Sequence, residues 1–279
     1  RFLTPIQENN DNAALEDLRA RIYPFILRRL KRDVLTELPA KTEETVSIAL
    51  EEAHHRLYHT RREAYKRLIS GILHTEGYGK GAFVILKALS ELRRLASVPE
   101  RNGEGVSAKR RYLTERVREI AAGGHKCLIF TNFLAAVDLI SRDLEDCGIA
   151  HLVMTGAVSN RAALTRRFQT DPEVKAFVMT LKTGGTGLNL TAADYVFIFD
   201  PWWNGAAEQQ AVDRIHRIGQ ENPVFCYRLI AKDTIEERMT ELQQRKSALS
   251  GALLQNDAET FKSLTPEDLM FLVGDVYGL

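Results

Sequence analysis

AFVMTLKTGGTGLNLTAADYVFIFD, residues 176–200, decides the fold. Two short apolar runs, Ala176–Met179 and Tyr195–Phe199, flank a glycine-rich segment, and neither run alternates apolar with polar residues. A strand that is apolar on both faces belongs in a sheet covered on both sides, which is the habit of parallel α/β sheets. The same rhythm extends outward. Upstream, the apolar runs Cys127–Thr131 and Ala150–Met154 are separated by helical patterns at Lys109–Ala122, Ala135–Asp146 and Asn160–Phe168. Downstream come a helical pattern at Ala206–Ile218 and a strand at Val224–Ile230. Strands alternating with helices predict an α/β fold, a parallel sheet with helices on both faces. Ligands of such sheets collect at the C-terminal ends of the strands. The loops after Met154, Met179 and Phe199 are therefore the places to look.

Patterns change on either side of this core, dividing the chain into 1–105, 106–232 and 233–279. The first segment is mostly helical. It holds one strand at Thr42–Leu50, a charged helix from Glu51 to Leu73, a turn marked by Gly77, Gly79 and Gly81, and a helix at Phe83–Leu95. In the last segment Asp233-Thr234 caps a helix running to about Leu254, and a short helix follows Thr265-Pro266. The 279 residues are 44% hydrophobic, enough for a sizeable core, and the formal net charge is only +1. Any nucleic-acid argument must therefore rest on local clusters such as Arg19, Arg21, Arg28, Arg29, Lys31 and Arg32. Cys127, Cys147 and Cys226 are far apart and form no Cys-x-x-Cys pair, so neither a disulfide framework nor a zinc ribbon is expected. His54, His55 and His59 lack a zinc-site pattern and read as a solvated helix face. No apolar run spans a bilayer and no signal sequence opens the chain, so a cytoplasmic or nucleoid location is expected, nuclear in a eukaryote. The opening residues begin in mid-pattern without an initiator Met, as an excised fragment would.

Three constellations carry chemistry. Thr183-Gly-Gly-Thr-Gly-Leu-Asn-Leu190 follows a buried strand, and its glycines let backbone N–H groups approach an anion. It is not a P-loop, since the Gly-x-x-x-x-Gly-Lys-Ser/Thr spacing is absent from the chain; Gly79-Lys80 reads as an exposed turn. Asp200-Pro-Trp-Trp-Asn204 puts a carboxylate at a strand end and two indoles before a helix. Gln210-Ala-Val-Asp-Arg-Ile-His-Arg-Ile-Gly-Gln220 places Gln210, Arg214 and Arg217 in one polar stripe of a helix, with Val212, Ile215 and Ile218 opposite. An isolated Arg-x-x-Arg is ordinarily a solvated face. Held rigidly, such arginines suit a transferring phosphoryl group.

Together these blocks resemble motifs V and VI of the Swi/Snf family of helicase-like, DNA-stimulated ATPases. The resemblance covers nearly the whole chain. YPFILRRLKRDVLTELPAKTEE is similar to the family's linker into the second lobe, and KCLIFTNF to its motif IV. DTIEERMTELQQRKSAL and FKSLTPEDLMFL resemble its C-terminal brace helices, and residues 1–105 its helical protrusion and linker. Val98-Pro99 stands where His-Pro is common, Gly205 where Pro follows Trp-Trp-Asn, and Asp233 where Gly often precedes Thr-Ile-Glu-Glu. Compact insertions and the absence of long acidic or Lys-rich tracts point to a bacterial or archaeal source.

The resemblance implies a RecA-like second lobe whose ATP and Mg2+ site is completed by an N-terminal lobe of the same polypeptide. It implies that Arg214 and Arg217 are arginine fingers, and that Gln210, Asp213, Gly185 and Gly187 lie in the ATP cleft. Thr131, Asn132, Gly156, Arg161, Thr183, Gly184, Thr186 and Asn189 would meet double-stranded DNA through its backbone, without reading sequence. Asp200, Trp202 and Trp203 would couple the two. No metal ligands are expected in this chain, nor a membrane partner. A non-catalytic DNA- or partner-binding lobe and the second lobe of a strand-separating helicase are the alternatives.

Overall fold

The computed structural model describes residues 38–75, 77–102, 107–184, 188–203, 205–250 and 264–274, together with 13, 17, 18, 20 and 21. The chain divides into two compact units, Arg1–Leu38 and Pro39–Leu279. In the first, Arg21 Nε donates to Asp17 Oδ1 at 3.0 Å, one helical turn away. The rest of the basic run 19–32 lies outside the described residues.

In the second unit, the apolar runs become strands of one all-parallel sheet. These are β1 (Lys41–Ile48), β2 (Cys127–Thr131), β3 (His151–Met154), β4 (Ala176–Thr180), β5 (Tyr195–Ile198) and β6 (Val224–Ala231), in the order β1-β6-β5-β2-β4-β3. Every residue of β2 is buried, as its unbroken apolar run requires of a central strand. β1, with Thr and Glu along most of its length, is largely exposed and forms one edge. Its register, Lys41 opposite Val224 through Ile48 opposite Ala231, ties the first segment of the sequence into the sheet.

The connections follow from the order. From β2 the chain runs through α4 (Leu134–Asp146) to β3 at the edge. It returns through α5 (Arg161–Thr170) to β4, then crosses to the far side of β2 for β5 and β6. β5, β2 and β4 are thus neighbours, and the loops leaving their C-terminal ends emerge side by side, the crevice where such sheets bind ligands. One face packs against α3 (Ala108–Ala122) and α4 through Val117, Ile129, Ile140 and Phe197. The other buries Leu128, Phe168, Phe177, Val196 and Ile215.

A third core is helical. It joins α1 (Glu52–Thr75), α2 (Gly77–Ser97), α8 (Ile235–Ser250) and α9 (Pro266–Leu272) around Tyr58, Leu89, Leu92, Met239 and Leu272. α9 begins at the expected place. Thr265 and Asp268 form a reciprocal capping box, with Pro266 at a position that needs no N–H donor. The expected turn at Gly77, Gly79 and Gly81 is corrected, because all three glycines lie within α2. Gly81 has a packing reason: a Cβ there would run into Ile72 Cγ2, where α1 and α2 pass each other. His54 departs from the solvated reading as well. It is buried, and its Nε2 lies 2.7 Å from the Leu95 carbonyl oxygen on α2.

A buried ion pair joins the helical core to the α3 side of the sheet. Lys109 of α3 and Glu236 of α8 are 1% and 0% exposed at the side chain, with Nζ–Oε2 at 2.8 Å. Ser97 Oγ at the end of α2 donates to Glu236 Oε1 (2.8 Å), and the Ala231 N–H of β6 donates to Oε2 (2.8 Å). One residue before Thr234, Asp233 has φ 59°, a left-handed conformation that glycine adopts without a Cβ penalty. That accounts for glycine being the common residue there in the resembled family. Asp233→Gly is expected to be neutral or to stabilise the fold by up to about 1 kcal/mol, read from chemical denaturation. A loss of stability would contradict the strain argument.

Candidate functional site

The loop after β5 is the centre of the site. Asp200, fully buried, accepts hydrogen bonds from Thr131 Oγ1 (2.5 Å), the Asn132 N–H (2.9 Å) and Asn132 Nδ2 (2.6 Å). A carboxylate at the end of one central strand thus fastens the loop leaving its neighbour. Thr131, expected to face a DNA phosphate, is instead buried with its hydroxyl spent on Asp200. Asn132 is half-buried and held by the same carboxylate. Its neighbour Leu134 opens α4 and is exposed.

The next residues are tied equally tightly. The Trp202 N–H donates to Glu208 Oε1 (2.7 Å), on the helix α7 (Gly205–Val212) that follows. Glu208 is paired through its other oxygen with Arg228 Nε of β6 (2.8 Å). Burial pushes the Glu208 carboxyl above its ordinary range, against the pull of Arg228. Trp203 is buried in the helical core, while Trp202 is half-buried.

After β4 the chain makes one helical turn, α6 (Leu181–Gly184), with Thr183 Oγ1 2.6 Å from Thr180 Oγ1. Gly185, Thr186 and Gly187 lie outside the described residues. The chain resumes at Leu188. Asn189 is exposed, and its carbonyl accepts from Gln169 Nε2 (2.8 Å). The Leu190 N–H donates to the Arg214 carbonyl (3.2 Å), which joins the end of the glycine-rich segment to the arginine stretch.

That stretch differs from the expected helix 206–218. α7 stops at Val212, and residues 213–219 form a series of turns. Tertiary bonds explain the stop. Leu190 occupies the Arg214 carbonyl, His216 Nε2 lies 2.8 Å from the Pro39 carbonyl oxygen, and Ile215 is drawn into the core. Gly219 then turns the chain with φ 97°. The two-sided stripe fails beyond Ile215: Ile218 is 77% exposed rather than buried. Gln210 and Arg217 are exposed, and Arg214 and Asp213 half-buried. Gln220, by contrast, is a structural residue; its amide donates to the Ala193 carbonyl (2.8 Å).

Gly156 and Arg161 lie beyond β3, at the opposite edge of the sheet from β1. Gly156 is exposed with open space about it, and Arg161 opens α5. The structure therefore joins Asp200, Thr131 and Asn132 directly, and links Trp202 to α7 and Arg214 to the glycine-rich segment. The sequence reading missed Arg93, Lys109, Glu208, Glu236 and Gln243. Two carried a signal: Arg93 falls one turn after Leu89, and Lys109 one turn before Leu113, on the apolar stripe of its helix.

Six parallel strands in this order, with the glycine-rich and acidic loops leaving the C-terminal ends of β4 and β5 and the arginine turn following α7, define a RecA-like helicase lobe. The comparisons narrow the class. The helicase conserved C-terminal domain matches residues 108–219 and the SNF2-related domain residues 1–100. A Mycoplasma pneumoniae protein described as an "uncharacterized ATP-dependent helicase" is 36% identical over 276 residues, 97% of this chain and 26% of its own length. Among solved structures, the Sulfolobus solfataricus SWI2/SNF2 ATPase core in complex with double-stranded DNA superposes with a TM-score of 0.71 at 30% identity, over 98% of this chain and 58% of that one. The C-terminal domain of the Sulfolobus solfataricus ATPase superposes with a TM-score of 0.67 at 26% identity, over 84% of this chain and 98% of that one. The chain belongs to the SNF2 family of helicase-like ATPases and matches its C-terminal RecA-like lobe. It spans only 26–29% of the length of three bacterial relatives that it matches over 92–97% of its own length. Among the described residues, no helix is long and apolar enough to cross a membrane.

Proposed function

We propose that this chain is the C-terminal half of an ATP-driven double-stranded-DNA translocase, working with an N-terminal lobe of the same polypeptide. The observation that carries the reading is the turn after α7, where Arg217 is exposed and Arg214 is bound through its carbonyl to the glycine-rich segment. Two guanidinium groups offer planar, permanently charged donors to phosphate oxygens, which fits the phosphate side of ATP. Mg2+ would be held by the other lobe and the nucleotide, as the family resemblance implies. When bound, Mg-ATP would supply the transferable phosphoryl group. Arg214 and Arg217 would neutralise charge developing on it, with Gln210, Asp213, Gly185 and Gly187 shaping the cleft.

On the DNA side, Asn132, Gly156, Arg161, Gly184, Thr186 and Asn189 would follow the phosphate backbone, with Thr131 acting through Asp200; Thr183, expected beside them, is buried against Thr180 and would act only from behind the loop. Such binding is sequence-tolerant and salt-sensitive. Asp200, Trp202 and Trp203 would couple DNA to the cleft. The resemblance in fold to a SWI2/SNF2 core solved with double-stranded DNA supports this assignment.

The test uses a polypeptide carrying both lobes. ATP-dependent displacement of a third strand from a triplex, with the underlying duplex left paired, is the expected outcome. Separation of the duplex strands would favour a strand-separating helicase, and neither activity would favour a non-catalytic binding lobe.

A further inference from the structure

The loop 200–203 is held from outside the sheet by two long side chains whose roles lie outside the motifs. Arg93 of α2 is 4% exposed, and its Nη2 donates to the Pro201 carbonyl at 2.7 Å. Its guanidinium carbon lies 4.9 Å from the Trp202 ring, 5.8 Å from that of Trp203 and 5.6 Å from that of Phe133. Gln243 of α8 donates from Nε2 to the Trp202 carbonyl (2.6 Å) and the Trp203 carbonyl (2.7 Å). Three consecutive carbonyls of the loop are thus taken by an arginine from one helix and an amide from another.

A buried guanidinium is an expensive way to fill a core, since an apolar side chain would pack there without desolvating a charge. What an arginine adds is direction. It fixes one carbonyl by a charge-assisted hydrogen bond while its flat face stacks on aromatic rings. Arg93 also touches both loops at once, through Phe133 after β2 and through Pro201 and Trp202 after β5. One end of the clamped loop is Asp200, which grips Asn132. The other end reaches Glu208 and α7, which leads into Arg214 and Arg217.

We propose that Arg93 and Gln243 are positioning residues that hold the 200–203 loop as a rigid link, so that DNA contact beside Asn132 sets the position of the arginine turn after α7. This rests on the functional reading above. The two helices thereby control how strongly DNA stimulates ATP turnover, without touching nucleotide or DNA.

The experiment measures ATP turnover with and without duplex DNA in the polypeptide carrying both lobes, for wild type, Arg93→Met, Arg93→Lys and Gln243→Met, each checked for folding by thermal melting. Arg93→Met is expected to lower the stimulation by DNA about tenfold while the KM for ATP and the duplex affinity stay as in wild type. Arg93→Lys regains part of the stimulation, because an ammonium can still donate to the Pro201 carbonyl although it loses the planar stack. Gln243→Met shifts the ratio the same way by a smaller factor, and carries the test alone if Arg93→Met does not fold. Wild-type stimulation in the folded variants overturns the proposal, as does an equal loss of stimulated and DNA-free rates. A wild-type protein that DNA does not stimulate defeats the functional reading itself, which separates the two failures.

Discussion

Replacing Arg217 with Ala in the polypeptide carrying both lobes is expected to cut DNA-stimulated ATP turnover by about 10³-fold or more, the scale of an arginine finger in related phosphoryl-transfer enzymes. The loss should fall on kcat, because in the proposed role the guanidinium would meet charge that develops only as the phosphoryl group transfers. Stability should hardly change, since Arg217 is exposed. Arg217→Lys should recover little, because an ammonium lacks the planar fork that engages two oxygens at once. Steady-state kinetics with saturating duplex reads the effect. An Arg217→Ala rate within tenfold of wild type would remove Arg217 from the catalytic role.

The second large effect concerns the fold. Lys109→Met strips the cation from a carboxylate that is fully buried. Glu236 keeps Ser97 Oγ and the Ala231 N–H but loses its countercharge. Breaking such a pair from one side costs about 3–5 kcal/mol, because the remaining charge stays in a poor solvent. The same principle makes the pair itself a weak source of stability, so Lys109→Met with Glu236→Gln, which removes the charge but keeps an oxygen for the Ala231 N–H, should recover part of the loss. Urea denaturation of the single and double variants checks both halves. A single variant within about 1 kcal/mol of wild type would show that Glu236 is not uncompensated after the change.

How much of this was legible in the sequence depends on the range of the forces involved. The apolar runs at 127–131, 176–179 and 195–199 are central strands because local composition alone decides that they are buried on both faces. The strand near Thr42 was visible, but not its partner. β1 pairs with β6, and no local periodicity reports a register that joins Lys41 to Val224. The arginine stretch shows the converse error. Its helical period was sound as far as Ile215. Beyond that, bonds from Leu190 and Pro39 to Arg214 and His216 decide where the helix ends, and both come from distant parts of the chain. Asp200 was legible as a polar residue at a strand end. That it would take up Thr131 and Asn132 was not, because the adjacency of β5 and β2 is a property of the topology. Lys109 and Arg93 escaped notice because charge ordinarily signals solvent, and only their apolar-stripe positions pointed the other way; Glu236 reads as an ordinary acidic residue in the first turn of its helix.

The central claim is that this chain carries half of an ATP site, arginines without a P-loop. The most direct measurement is Mg2+-dependent ATP turnover, with saturating duplex DNA, by the purified 279-residue chain and by the polypeptide carrying both lobes. DNA-stimulated turnover is expected only from the two-lobed protein, with none above background from the chain alone. Turnover by the chain alone would contradict it.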